Sequence, residues 1–203
     1  MNSENKIVKL AKTIWSIEAN RRLFKDVVLF FIASLVFNYL YWWTNMNHWL
    51  FGPFTADVFS WFKNLAFQGT KFLCSVLPCL SFESIDTTLF FYDTANNGEK
   101  ILSHVIEIAE DCSGIKQLAQ WALIMILCRG NWKSKSIYFF IGCVLILLTN
   151  ITRIYLLALI PGQEIALWDL CHMWIARPLM YIVIFFMWAF WIKHFANHKK
   201  TNK

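Results

Sequence analysis

Three long, predominantly apolar runs, Leu23 to Trp43, Ile137 to Ile160 and Met173 to Ile192, constrain this chain more than any other feature. Each is close to the roughly 20 residues a helix needs to cross hydrocarbon. A chain of 203 residues that is 58% apolar, with Trp 11 and Phe 19, has too little polar sequence to wrap a water-soluble core. It belongs in a bilayer. Ser113 to Cys128 is a fourth, shorter apolar run, reaching about 24 Å at 1.5 Å per residue, so its first residues are expected at the lipid interface.

The cations sort the loops. Lys6, Lys9, Lys12, Arg21, Arg22 and Lys25 lie within residues 1–25, before or at the entry of the first run; Arg129, Lys133 and Lys135 follow the short one; Lys193, Lys199, Lys200 and Lys203 close the chain. The positive-inside rule makes all three segments cytoplasmic. The segment before residue 113 and the 161–172 loop then face outward, with ten of the thirteen acids, from Asp57 to Asp169. The net charge of +6 therefore reports topology and gives no reason to invoke nucleic acid. No small-residue cleavage site closes the first run, so it is expected to be retained as a span.

Between the first and second spans the pattern changes twice. Asp57, Ser60, Asn64, Gln68, Lys71 and Ser75 step by three or four residues along 56–77, giving one narrow polar stripe on an otherwise apolar helix. This reads as an outer-face interfacial helix, or as a fifth transmembrane helix with a polar inner face. Thr87 to Asp93 and Ile101 to Glu110 are strand-like around an Asn97-Gly98 turn signal. The expected architecture is an all-α integral membrane protein of four or five transmembrane helices, with a small extracytoplasmic β-hairpin over 85–111. It is a single membrane domain: basic segment 1–22, spans 23–43, 113–128, 137–160 and 173–192, and cytoplasmic tail 193–203.

The hairpin delivers the chain into Cys112, at the expected start of a helix. Unpaired amides there favour negative charge on sulfur, Glu110 and Asp111 oppose it, and Ser113 and Gly114 keep the backbone small. Taken alone, such a cysteine is an ordinary packing residue. Asn150 and Arg153, three apart, share a helical face inside a span, and a guanidinium about 10 Å below the end of its helix must face the bundle interior or a wet cavity. The bland alternative is structural glue. His172 opens the last span behind Asp169; taken singly it is a polar cap. Together a thiol, a fixed cation and a group titrating near neutrality, all in the outer leaflet, are the parts of an acyl-transfer site.

At these residues the chain resembles the exosortase/archaeosortase family of membrane transpeptidases. The matching pieces are AEDCSGIKQL around Cys112, NITR from Asn150 to Arg153, and His172 at the head of the final helix. Met173 and Trp174 follow the histidine where many members carry Asp and a nearby Gly, and Asp169 precedes it by one helical turn. The resemblance implies a bacterial cytoplasmic-membrane enzyme with an outward-facing site. Cys112 would attack a carbonyl in the C-terminal sorting signal of a membrane-anchored protein substrate, Arg153 would stabilise the oxyanion or hold the thiolate, and His172 would be base and acid. The thioester would pass to an amine, a lipid-linked acceptor or water. No metal or cofactor is required, and His104 and Arg177 are reserve candidates for base and cation.

Two other classes compete. A quinone-coupled thiol oxidoreductase would pair Cys112 with Cys171 or Cys74, although the six cysteines include no CxxC. A non-catalytic subunit of an export or surface-polysaccharide system would need none of the three side chains.

Overall fold

A computed structural model describes residues 3–94, 98–109, 112–161 and 164–195. The Asn97 half of the expected turn, Glu110, Asp111 and the last three lysines lie outside them. The chain divides into two compact units, Met1–Asn45 and Met46–Lys203.

The first unit is one helix, α1 (Ser3–Trp43). Basic segment and first span are thus continuous, with Leu23–Trp43 apolar enough to cross a membrane. Tyr39 and Trp43 stack at its end, ring centroids 5.7 Å apart. Thr44 donates its hydroxyl to the Leu40 carbonyl at 2.7 Å, and Asn45 takes φ 49°, a left-handed stop.

The second unit opens with short 3-10 turns and then α2 (Thr55–Val76). Thr55 Oγ1 accepts from the Phe51 amide at 3.1 Å and donates to the Gly52 carbonyl at 2.7 Å. Asp57, Ser60, Asn64, Gln68 and Ser75 of the polar stripe are exposed, whereas Phe59, Ala66, Phe67, Thr70 and Cys74 are buried. The sheet has three strands, β1 (Ser81–Ile85), β2 (Thr88–Thr94) and β3 (Lys100–Glu107), antiparallel in that order. The expected hairpin is β2 and β3. β1 is an addition, pairing Ser81 with Tyr92 and Ile85 with Thr88. Leu89 and Phe91 alternate inward along β2 and join Phe67, Cys74, Ile154, Tyr155 and Ala158 in one core cluster. The sheet therefore rests on α2 and on the C-terminal turns of α4 (Trp132–Ala158).

α3 (Ile115–Leu127) is 13 residues long, about 20 Å, and starts two residues later than the sequence indicated. α4 has 27 residues. A Cβ on Gly142 would lie 2.7 Å from Met187 Cε and inside the Trp121 indole, so only glycine lets α3 and the last helix close on α4 there. That helix runs as α5 (Ile165–Leu170), a π-helical turn (Cys171–Ala176) and α6 (Arg177–His194). It begins well before the expected Met173, so His172 sits inside a helical segment and does not open it. Pro178, in the first turn of α6, has no N–H for the Trp174 carbonyl, and the wider turn accommodates the loss.

Among the described residues three helices are long and apolar enough to cross a membrane: Leu23–Trp43, Trp132–Ala158 and Ala166–His194. α3 is a shorter apolar helix. In the second unit Phe140, Leu148, Trp174 and Phe186 are exposed, the outward apolar surface a lipid solvent tolerates and water does not.

Candidate functional site

Beyond β3, which ends at Glu107, the buried Ile108 donates its amide N–H to the Thr87 carbonyl (3.2 Å), and the Cys112 amide donates to the Ala109 carbonyl at 2.9 Å. Gly114 then caps α3 with φ 86°. A Cβ on it would meet Asn150 Nδ2 at 3.3 Å. Conformation and crowding both demand glycine here. Ser113 is buried, and its hydroxyl lies 3.4 Å from the Ile115 amide. Cys112 therefore precedes the helix cap by two residues. The positive charge beside its sulfur comes from another helix.

That charge is Arg153. Its guanidinium is within hydrogen-bonding reach of the Cys112 thiol, and the residue is only 6% exposed. Its Nε has no hydrogen-bond partner among the described residues, so one donor of this buried guanidinium is spare. One turn earlier on α4, Asn150 Nδ2 donates to the Cys112 carbonyl at 2.8 Å. The three-residue spacing read from the sequence thus puts one side chain on the backbone of Cys112 and the other on its thiol.

His172 comes from the π-helical turn and stacks on Trp168, ring centroids 4.7 Å apart. Cys112, Arg153 and His172 line one cavity of about 200 Å³, with Ile106, Ile108, Ile154 and Leu157 as apolar walls. Arg177 acts electrostatically on both Arg153 and His172. Asp169 is exposed and acts on His172 through its charge alone, with no hydrogen bond between them among the described residues. Glu107 also lines the cavity, as does Trp168. Neither was singled out as a site residue, though the four-residue step from Trp168 to His172 was a usable signal.

His104 is engaged elsewhere. Its Nε2 pairs with the Ala158 carbonyl at 3.0 Å and its ring stacks on Phe91 at 4.7 Å, so it pins the sheet to α4. Every described cysteine is a free thiol. Cys74 hydrogen-bonds Cys79, and burial together with that neighbour pushes its pKa up to about 12. Among the described residues no cluster of His, Cys, Asp or Glu could hold a metal ion.

These features define an apolar-helix protein with a small sheet capping one end of α4 and a thiol–guanidinium–imidazole cavity beneath it. No family model, no curated protein and no solved structure matches the chain.

Proposed function

We propose that the protein is an exosortase-like membrane cysteine transpeptidase, embedded in a bacterial cytoplasmic membrane with its site on the extracytoplasmic side. The observation that carries this reading is the convergence of Cys112, Arg153 and His172, from three different segments, on one cavity. Four crossings, α1, α3, α4 and α5–α6, return both termini to the cytoplasm, as the basic residues require. α2 lies along the outer face with its polar stripe to water.

The chemistry is acyl transfer. His172 takes the thiol proton, and the Cys112 sulfur attacks the carbonyl carbon of a peptide bond near the C-terminal span of a membrane-anchored substrate. Charge moves to the carbonyl oxygen, where the spare Arg153 donor meets it, the preorganised stabilisation that acyl transfer needs. Collapse expels the C-terminal fragment as an amine carrying the proton from His172, leaving a thioester on Cys112. An incoming amine, lipid-linked acceptor or water, deprotonated by His172, then releases the thiol. Trp168 holds the imidazole face, and Asn150 holds the Cys112 backbone.

Of the two partner thiols in the thiol-oxidoreductase reading, Cys171 is a free thiol, whereas burial and Cys79 push the Cys74 pKa up to about 12 and leave little thiolate near neutrality. The test is co-expression with a membrane protein ending in a short motif, one span and a basic tail. Cys112→Ala, Arg153→Ala and His172→Ala each abolish processing while leaving membrane insertion intact. Wild-type processing by the triple variant would instead favour a non-catalytic subunit.

A further inference from the structure

At the opposite end of α4 from the thiol is a second cavity, about 310 Å³, between α3 and the first turns of α4. Its walls are Met125, Ile126, Trp132, Phe139 and Phe140, and among them lies the amine of Lys135. This lysine is 7% exposed. Its Nζ reaches the Ile126 carbonyl at 3.4 Å and lies 4.8 Å from the centre of the Trp132 ring. An ammonium has three donors, and no carboxylate among the described residues pairs with it. The carbonyl and the ring offset only part of the desolvation of a buried ammonium, so the cleft favours an anion beside Lys135.

The missing anion must also suit apolar walls. Ile126 and Phe140 continue the cleft onto the lipid-facing surface, 62% and 67% exposed. Arg129 and Lys133 are exposed beside it, and the 129–136 stretch contains no acid. α3 spans about 20 Å where hydrocarbon measures about 30 Å, leaving a shortfall that an inserted acyl chain can fill. We propose that this cleft binds one anionic phospholipid, its phosphate on Lys135 and an acyl chain along Met125 and Phe139. The inference rests on the membrane reading and is independent of the Cys112 chemistry.

Native mass spectrometry of the delipidated full chain, titrated with phosphatidylglycerol and with phosphatidylcholine of the same chains, tests it. One phosphatidylglycerol binds about tenfold more tightly than phosphatidylcholine, because the choline cation of the latter already neutralises its own phosphate and leaves no net negative charge to complement Lys135. Lys135→Met removes the preference, Lys135→Arg keeps it, and Lys133→Met, at an exposed position, leaves it unchanged. Ala122→Phe, which fills the cleft without altering the amine, loses the bound lipid and carries the test should Lys135→Met not fold. Equal affinity for the two lipids, a preference that survives Lys135→Met, or displacement of the lipid by equimolar inorganic phosphate would overturn the proposal.

Discussion

Asn150 holds Cys112 by its backbone: the side-chain amide donates to the Cys112 carbonyl across 2.8 Å, joining the turn before α3 to the face of α4 that also carries Arg153. Asn150→Ala removes this donor and leaves a carbonyl unpaired beside the cavity, a loss of about 1–3 kcal/mol. A lower melting temperature in detergent and slower alkylation of Cys112 by iodoacetamide check it. An unchanged alkylation rate would mean that the turn positions the thiol without Asn150.

Gly114→Ala forces a side chain into φ 86° and against the Asn150 amide. The left-handed conformation costs about 1–2 kcal/mol, and the Asn150 bond is strained in addition. Processing falls more than the melting temperature does, because the displaced group is the one that holds Cys112. The comparison is between melting temperature and processing rate for this variant and Gly98→Ala, whose φ is 83° with open space around it.

The two histidines near the sheet separate by their partners. His104→Ala loses the bond to the Ala158 carbonyl and destabilises by about 1–3 kcal/mol, yet retains processing. His172→Ala removes the histidine that lines the thiol cavity and abolishes processing without a comparable loss of stability. Processing assays paired with thermal melts of both variants distinguish base from scaffold.

Cys74 gives a pH dependence of definite sign. Its folded pKa is raised from 9.0 to about 12, first by burial and then by the Cys79 hydrogen bond and charge. The unfolded chain therefore loses this proton at lower pH than the native one, and the contribution to stability is complete below pH 9.0 and lost as pH rises toward 12. Native Cys74 resists iodoacetamide at pH 8 and reacts once the chain is unfolded. Cys79→Ala increases native reactivity only in part, since burial remains.

The three helices long and apolar enough to cross a membrane were legible because hydrocarbon demands length, and a run such as Ile137 to Ile160 has few other uses. The outline of α2 was legible because its polar stripe recurs at helical spacing. β1 was not: Ser81–Ile85 alternates exposed and half-buried residues at a sheet edge, and SFESI carries too short an apolar pattern to stand out. That Cys112, Arg153 and His172 line one cavity could be anticipated from residue type and from the helical spacing of Asn150 and Arg153. The origin of the charge beside Cys112 could not be, since a helix start two residues downstream removes the local amides and only tertiary packing brings in Arg153. Glu107 enters the cavity through strand direction, which periodicity does not reveal, whereas Trp168 lies on α5 four residues before His172, a spacing that could have been read.

The covalent state of Cys112 tests the account most directly. Intact-mass and peptide mass spectrometry of the purified protein, quenched in acid during processing of a co-expressed substrate, should show the substrate's N-terminal fragment on Cys112 as a hydroxylamine-labile thioester. Processing that proceeds at the wild-type rate in Cys112→Ala, with no adduct on any cysteine, would contradict it.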